Sequence, residues 1–172
     1  WQVFSIMMMA TGNAVAILVG QKLGAGLTKE ARDVDRKLLA LSVALNLGVG
    51  VLIIATSGLI PRLYNVGEET RLLATQLLIV AGAFMPVDAF THSAYFTLRS
   101  GGKTMITFLF DCAFTWVVCL PIAFLLSRYT AAPMIWIYVA VQATNIIKAL
   151  IGGLLVRSGI WVQTLVGKAE AR

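Results

Sequence analysis

Four side chains able to move a proton or hold a cation recur at helical spacing in one long apolar stretch: Asp88, then Thr91, His92 and Tyr95 at i+3, i+4 and i+7. Residues at such offsets share one helix face. Asp88 stands eleven residues before Arg99, roughly 16 Å of helix at 1.5 Å per residue, which puts it near the middle of a bilayer. A carboxylate at that depth costs about 2.5–3.5 kcal/mol or more unless paired, hydrated or protonated, so it is a functional candidate by default. Two roles fit: a site for a proton or a coupling ion, or a structural carboxylate hydrogen-bonded to a neighbouring helix. Pro86 removes a backbone donor just before it and is expected to loosen the helix where it lines a cavity. His92, the only histidine, either tunes the carboxylate and relays a proton or makes an interhelical hydrogen bond.

Other apolar stretches carry their own exceptions. Asp111 lies about seven residues past the start of its stretch, roughly 10 Å in, a depth that suits a functional ion pair or a carboxylate hydrated from the cytoplasm. Lys148 is close enough to a helix end for its stem to snorkel to the interface. Gln142 and Asn145, three residues apart, line a polar pathway or bond across helices. Met7, Met8 and Met9 suit an adaptable apolar cavity or plain core packing. Ser42, Asn46 and Gly50 recur every four residues and form a small-residue seam for close helix approach. Cys112 and Cys119 lack a second pair or a nearby histidine and are read as packing thiols.

The elements that must position these groups are long helices. Apolar length and loop punctuation give spans at about 3–20, 38–60, 71–98, 104–127 and 133–156. The break at 21–37 holds Gly24, Gly26 and eight charged residues, and reads as a loop with a surface helix. The other breaks are short: Pro61 to Thr70 with Asn65 and Gly67, Arg99 to Thr104, and Ser127 to Pro133. If loops alternate sides, one side holds Lys22, Lys29, Arg32, Arg36, Lys37, Arg99, Lys103, Arg157, Lys168 and Arg172. Only Arg62, Arg71 and Arg128 fall on the other. The positive-inside rule then makes the first side, including the C-terminus, cytoplasmic.

Composition agrees with lipid as the solvent. Apolar residues make up 59% and charged residues 13%, against roughly 45–50% and 25% in soluble domains. The net charge of +6 sits in short loops without interleaved aromatic platforms, so topology explains it better than nucleic acid does. Gly102-Lys103-Thr104 resembles the end of a phosphate-binding loop, but the glycine due five positions earlier is Thr97. No HExxH, GxSxG or Cys/His ligand set is present, and no enzyme is expected. The start at Trp1, inside an apolar run with no initiator Met, reads as part of a longer protein.

Two ordered segments carry a resemblance. Gly12-Asn-Ala-Val-Ala-Ile-Leu-Val-Gly-Gln-Lys-Leu-Gly-Ala-Gly, followed by Glu30-Ala31, resembles the signature that ends the second helix of each half of multidrug and toxic compound extrusion (MATE) transporters. Leu98-Arg99-Ser-Gly-Gly-Lys-Thr, with Trp116 and Leu120-Pro121, is similar to that family's loop between its tenth and eleventh helices and the helix after it. Ile147-Lys148 and Gly159-Ile-Trp161-Val162 resemble its last helix and tail.

The resemblance implies an all-α integral membrane fold. Five transmembrane helices over residues 1–166, the eighth to twelfth of twelve, would form most of one six-helix bundle. Cytoplasmic loops fall near 21–37 and 99–103, and a cytoplasmic tail at 167–172. It further implies alternating-access export of cationic or amphipathic compounds in exchange for sodium ions or protons, without another cofactor or metal. The partners are the bilayer, the small-molecule substrate and the N-terminal bundle of the same chain; the setting is a plasma membrane, as in a bacterial inner membrane. Asp88 has the spacing of the family's coupling carboxylate, and Asp111 is similar to an acidic residue of another branch. Both are ion-coupling candidates, with Thr91, His92, Tyr95, Gln142 and Asn145 lining the cavity. A lipid-linked oligosaccharide flippase and a membrane scaffold are the alternatives.

Overall fold

The computed structural model describes residues 2–64, 66–129 and 133–162. Asn65, the middle of the 127–133 break, Lys168, Arg172 and the tail at 167–172 lie outside them. Five helices follow in chain order: α1 (Gln2–Gly24), α2 (Thr28–Thr56), α3 (Glu68–Ser100), α4 (Thr104–Tyr129) and α5 (Met134–Ser158). All five are long and apolar enough to cross a membrane, and helices satisfy their own backbone groups, as lipid demands. A short 3₁₀ turn, Ile60–Leu63, begins the connection from α2 to α3.

The first break is far shorter than the sequence suggested. Only Ala25, Gly26 and Leu27 interrupt the helices, with Gly26 at φ 74°, a left-handed conformation that glycine adopts without steric cost. Lys22 and Glu30 pair across the turn at 2.8 Å. Residues 28–37 are the opening turns of α2 rather than a separate surface helix. Their Lys29, Arg32, Asp33, Arg36 and Lys37 are exposed while Ala31 and Asp35 are buried. That amphipathic face keeps the helix continuous as it leaves the apolar zone.

Helix α3 is the hub, packing on α1, α2 and α5. The buried face of α2 runs Ala31, Asp35, Leu39, Ser42, Asn46, Gly50 and Ile53, steps of three and four that keep one stripe against its neighbours. The stripe is polar in its middle. Ser93 Oγ donates to Ser42 Oγ at 2.9 Å and Ser42 Oγ to Thr11 Oγ1 at 3.1 Å, tying α3, α2 and α1 together. Nearer the turn at 25–27, Thr97 Oγ1 donates to the buried Asp35 Oδ1 at 2.6 Å.

Below these bonds lies an apolar cluster of Val15, Val19, Leu23, Ala31, Phe96, Leu98, Phe110 and Trp161. Gly101 lies directly against the Trp161 backbone, and Gly159 against the Arg32 guanidinium. The first turn, the third turn and the end of α5 therefore meet at one end of the bundle. At the opposite end Ile60, Pro61, Tyr64, Met134 and Tyr138 border one apolar cavity.

Much of the outer surface is apolar, with Trp116, Val117 and Leu154 each about 70% exposed. Such a surface marks contact with lipid or with another part of a membrane protein. Helix α4 is the least covered. It opens into π-helical turns at Leu109–Ala113 and Thr115–Cys119 before Pro121, whose missing amide and bulky ring disfavour the regular bonding pattern upstream.

Candidate functional site

All seven residues singled out from the sequence line one cleft between α3, α4 and α5. Asp88, Thr91, His92 and Tyr95 come from α3, Asp111 from α4, and Gln142 and Asn145 from α5. The cleft encloses about 510 Å³ and also takes in Met8, Met9, Phe96, Arg99, Phe110 and Lys148.

Helix α5 serves the two carboxylates in different ways. Asn145 Nδ2 donates to Asp88 Oδ1 at 2.9 Å and Gln142 Nε2 approaches Asp88 Oδ2 at 3.5 Å. Asn145 also donates to Gln142 Oε1 at 3.2 Å, which fixes the two amides relative to each other. Asp88 thus has neutral partners only in these bonds. Asp111, by contrast, is paired at 2.5 Å with Lys148 Nζ, and that ammonium also lies 5.5 Å from the Phe110 ring centre, within cation–π range.

Lys148 does not snorkel. Its side chain is 11% exposed, because the Asp111 carboxylate supplies inside the bundle the counter-charge that the interface would otherwise offer. Helix α3 is likewise not broken at Pro86 and stays helical to Ser100. A single missing amide is tolerated when neighbouring helices brace the turn.

The rest of α3 presents its stripe as the spacing predicts. Thr91 Oγ1 returns to the Val87 carbonyl at 2.9 Å. His92 packs its ring beside Tyr95 and edge-on to Phe96, with centroids 6.4 Å and 5.4 Å away. Its Nε2 is buried without a hydrogen-bond partner, so that nitrogen makes no interhelical bond. Met8 and Met9 face the cleft, and their flexible thioethers suit irregular apolar ligands. Cys119 Sγ meets Thr144 Oγ1 at 3.1 Å across α4 and α5, and Cys112 is exposed. Among the described residues no cluster of His, Cys, Asp or Glu could hold a metal ion by itself.

Arg99, Phe96, Phe110 and the pairing of Lys148 escaped the sequence. Arg99 was legible: it follows Asp88, His92 and Tyr95 at i+11, three turns along the same face. The aim of Asp111 was not, because it rides on a π-helical turn, which shifts the facing of side chains off the 3.6-residue period.

A bundle of membrane-length helices with two carboxylates, one held by amides and one by a lysine, in a single cleft is the architecture of part of a polytopic membrane protein. The chain matches the MatE family over residues 1–125 and belongs to it. It is also 26% identical, over 166 residues, to the multidrug resistance protein MdtK of Edwardsiella ictaluri, a match covering 96% of this chain. The chain spans about a third of the length of that relative, 32%. No solved structure matches it significantly.

Proposed function

We propose that this chain supplies the C-terminal helices, the eighth to twelfth, of a secondary antiporter that exports cationic or amphipathic compounds in exchange for sodium ions or protons. The observation that carries the reading is the setting of Asp88. Its carboxylate is held by two neutral amides in a cleft lined by methionine and aromatic side chains, and nothing in those bonds cancels its charge. A proton, a sodium ion or an organic cation would each neutralise it, and only one can do so at a time. Exchange follows from that mutual exclusion when binding also shifts the bundle between inward- and outward-open states. Methionine and aromatic walls favour broad acceptance over tight selection.

The end of the bundle that carries the turns at 25–27 and 101–103 would face the cytoplasm, by the charge asymmetry of its loops. The flippase alternative needs cationic groups for a pyrophosphate; of the two that line the cleft, Lys148 is committed to Asp111, which leaves the exposed Arg99.

Ethidium efflux from cells expressing the full-length transporter tests the assignment. Imposed sodium or proton gradients should drive efflux by the wild type and not by Asp88→Asn at equal membrane abundance. Gradient-driven efflux retained by that variant removes Asp88 from coupling.

A further inference from the structure

The cleft contains two carboxylates but only one that is available to an incoming cation, and the difference lies in α5. Asn145 and Gln142 give Asp88 hydrogen bonds without charge, whereas Lys148 gives Asp111 a full positive charge. Counting Asp88, Asp111 and Lys148 leaves one net negative charge. Arg99 also lines the cleft but is exposed, where water and salt screen it.

We propose that Lys148 is a charge-selectivity residue: tethered to Asp111, it fills the place of one cation in a two-carboxylate cleft and so restricts that cleft to monovalent organic cations. The inference rests on the antiport reading above and adds to it the charge class of the substrate. Its ammonium is held where a second positive group of a dication would need to sit, beside Asp111 and over the Phe110 ring. A dication entering the wild-type cleft would meet one free carboxylate and one resident cation, and like charges at short range repel, the more so because the Lys148 side chain is only 11% exposed.

The same geometry makes Asp111 a positioning residue rather than a second coupling site. Lys148 follows Asn145, the partner of Asp88, by three residues, or roughly 4.5 Å along the helix. A flexible four-carbon stem spans that distance. Released from Asp111, the ammonium is free to pair with Asp88 and compete with every incoming cation.

Dye binding to the purified full-length transporter tests both statements. Ethidium and propidium share one ring system and carry one and two positive charges, so the ratio of their affinities, compared across variants, isolates charge from size. Wild type should favour ethidium by about tenfold, and Lys148→Gln should erase or reverse that preference. Asp111→Asn alone should weaken ethidium binding by about tenfold, and the double variant Asp111→Asn with Lys148→Gln should recover it.

A preference unchanged in Lys148→Gln overturns the proposal, as does a double variant no better than Asp111→Asn, the outcome expected if Asp111 itself takes the coupling ion. Should Lys148→Gln fail to fold, the comparison of Asp111→Asn with the double variant still decides. Undiminished ethidium binding by Asp88→Asn would instead mark failure of the antiport reading, on which the proposal stands.

Discussion

Asp88 keeps its charge available because its neighbours are amides. The same helix that could have offered it a lysine spends that lysine on Asp111, one to two turns further along. A different carboxylate, Asp35, is committed to structure. It is 1% exposed and takes a hydrogen bond from Thr97, itself fully buried. Thr97→Val should therefore strand a buried carboxylate without its donor and cost about 1.5–3 kcal/mol, the range for hydrogen bonds to charged groups. Thermal denaturation in detergent would read this as a clear fall in midpoint; an unchanged midpoint would mean that Asp35 finds another partner.

The role of Asp88 as a focus was legible from its depth and from the i+3, i+4, i+7 stripe that follows it. The burial of Asp35 was legible too, since Asp35, Ser42, Asn46 and Gly50 fall on one face at steps of seven, four and four. It was obscured by the seven other charged residues of 21–37, which do face outward. The Lys148–Asp111 pair was not legible, because it depends on a π-helical turn in one helix meeting a second helix 37 residues later.

At the scale of elements, the bundle depends on how closely α2 and α3 approach. A methyl group added at Gly50 would run into the Gly82 carbonyl, and one added at Gly82 into Ile54 and the Gly50 carbonyl. The Gly82 carbonyl is also the one that Pro86, four residues on, cannot bond. The proline and the two glycines thus fall at one place: the freed carbonyl sits where the side of Gly50 that lacks a Cβ lets the two helices approach closely. Gly50→Ala should destabilise the folded protein by about 1–3 kcal/mol, as overpacking does. Gly48→Ala, where nothing lies within 4 Å, should be neutral or stabilising, since alanine favours helix over glycine by about 1 kcal/mol. Equal effects of the two substitutions on the thermal midpoint would contradict this packing. The spacing of Ser42, Asn46 and Gly50 announced such a seam; its partner Gly82 had no signal of its own beyond lying four residues before a proline.

For the whole molecule, the described helices come in the expected number, and their boundaries move where charge misled. The helix continues through 28–37 because one buried stripe persists beneath the exposed charges, and apolar length alone does not detect a stripe. The ends of the bundle are sorted as the alternation of loops requires, with the first and third turns and the end of α5 together. A cysteine placed at Leu27 in a background lacking Cys112 and Cys119 should react with an impermeant maleimide in everted vesicles and not in intact cells. A cysteine at Val66 should show the reverse. Labelling of Leu27→Cys from outside intact cells would invert the proposed orientation.

Mutual exclusion at Asp88 is the centre of the account, and ethidium binding to the purified full-length transporter over a range of sodium concentrations and pH tests it most directly. Affinity for the dye should fall as the coupling cation, sodium or the proton, is raised, without loss of binding capacity, and in Asp88→Asn the residual affinity should not respond to either. A wild-type affinity indifferent to both cations would contradict competition for this carboxylate.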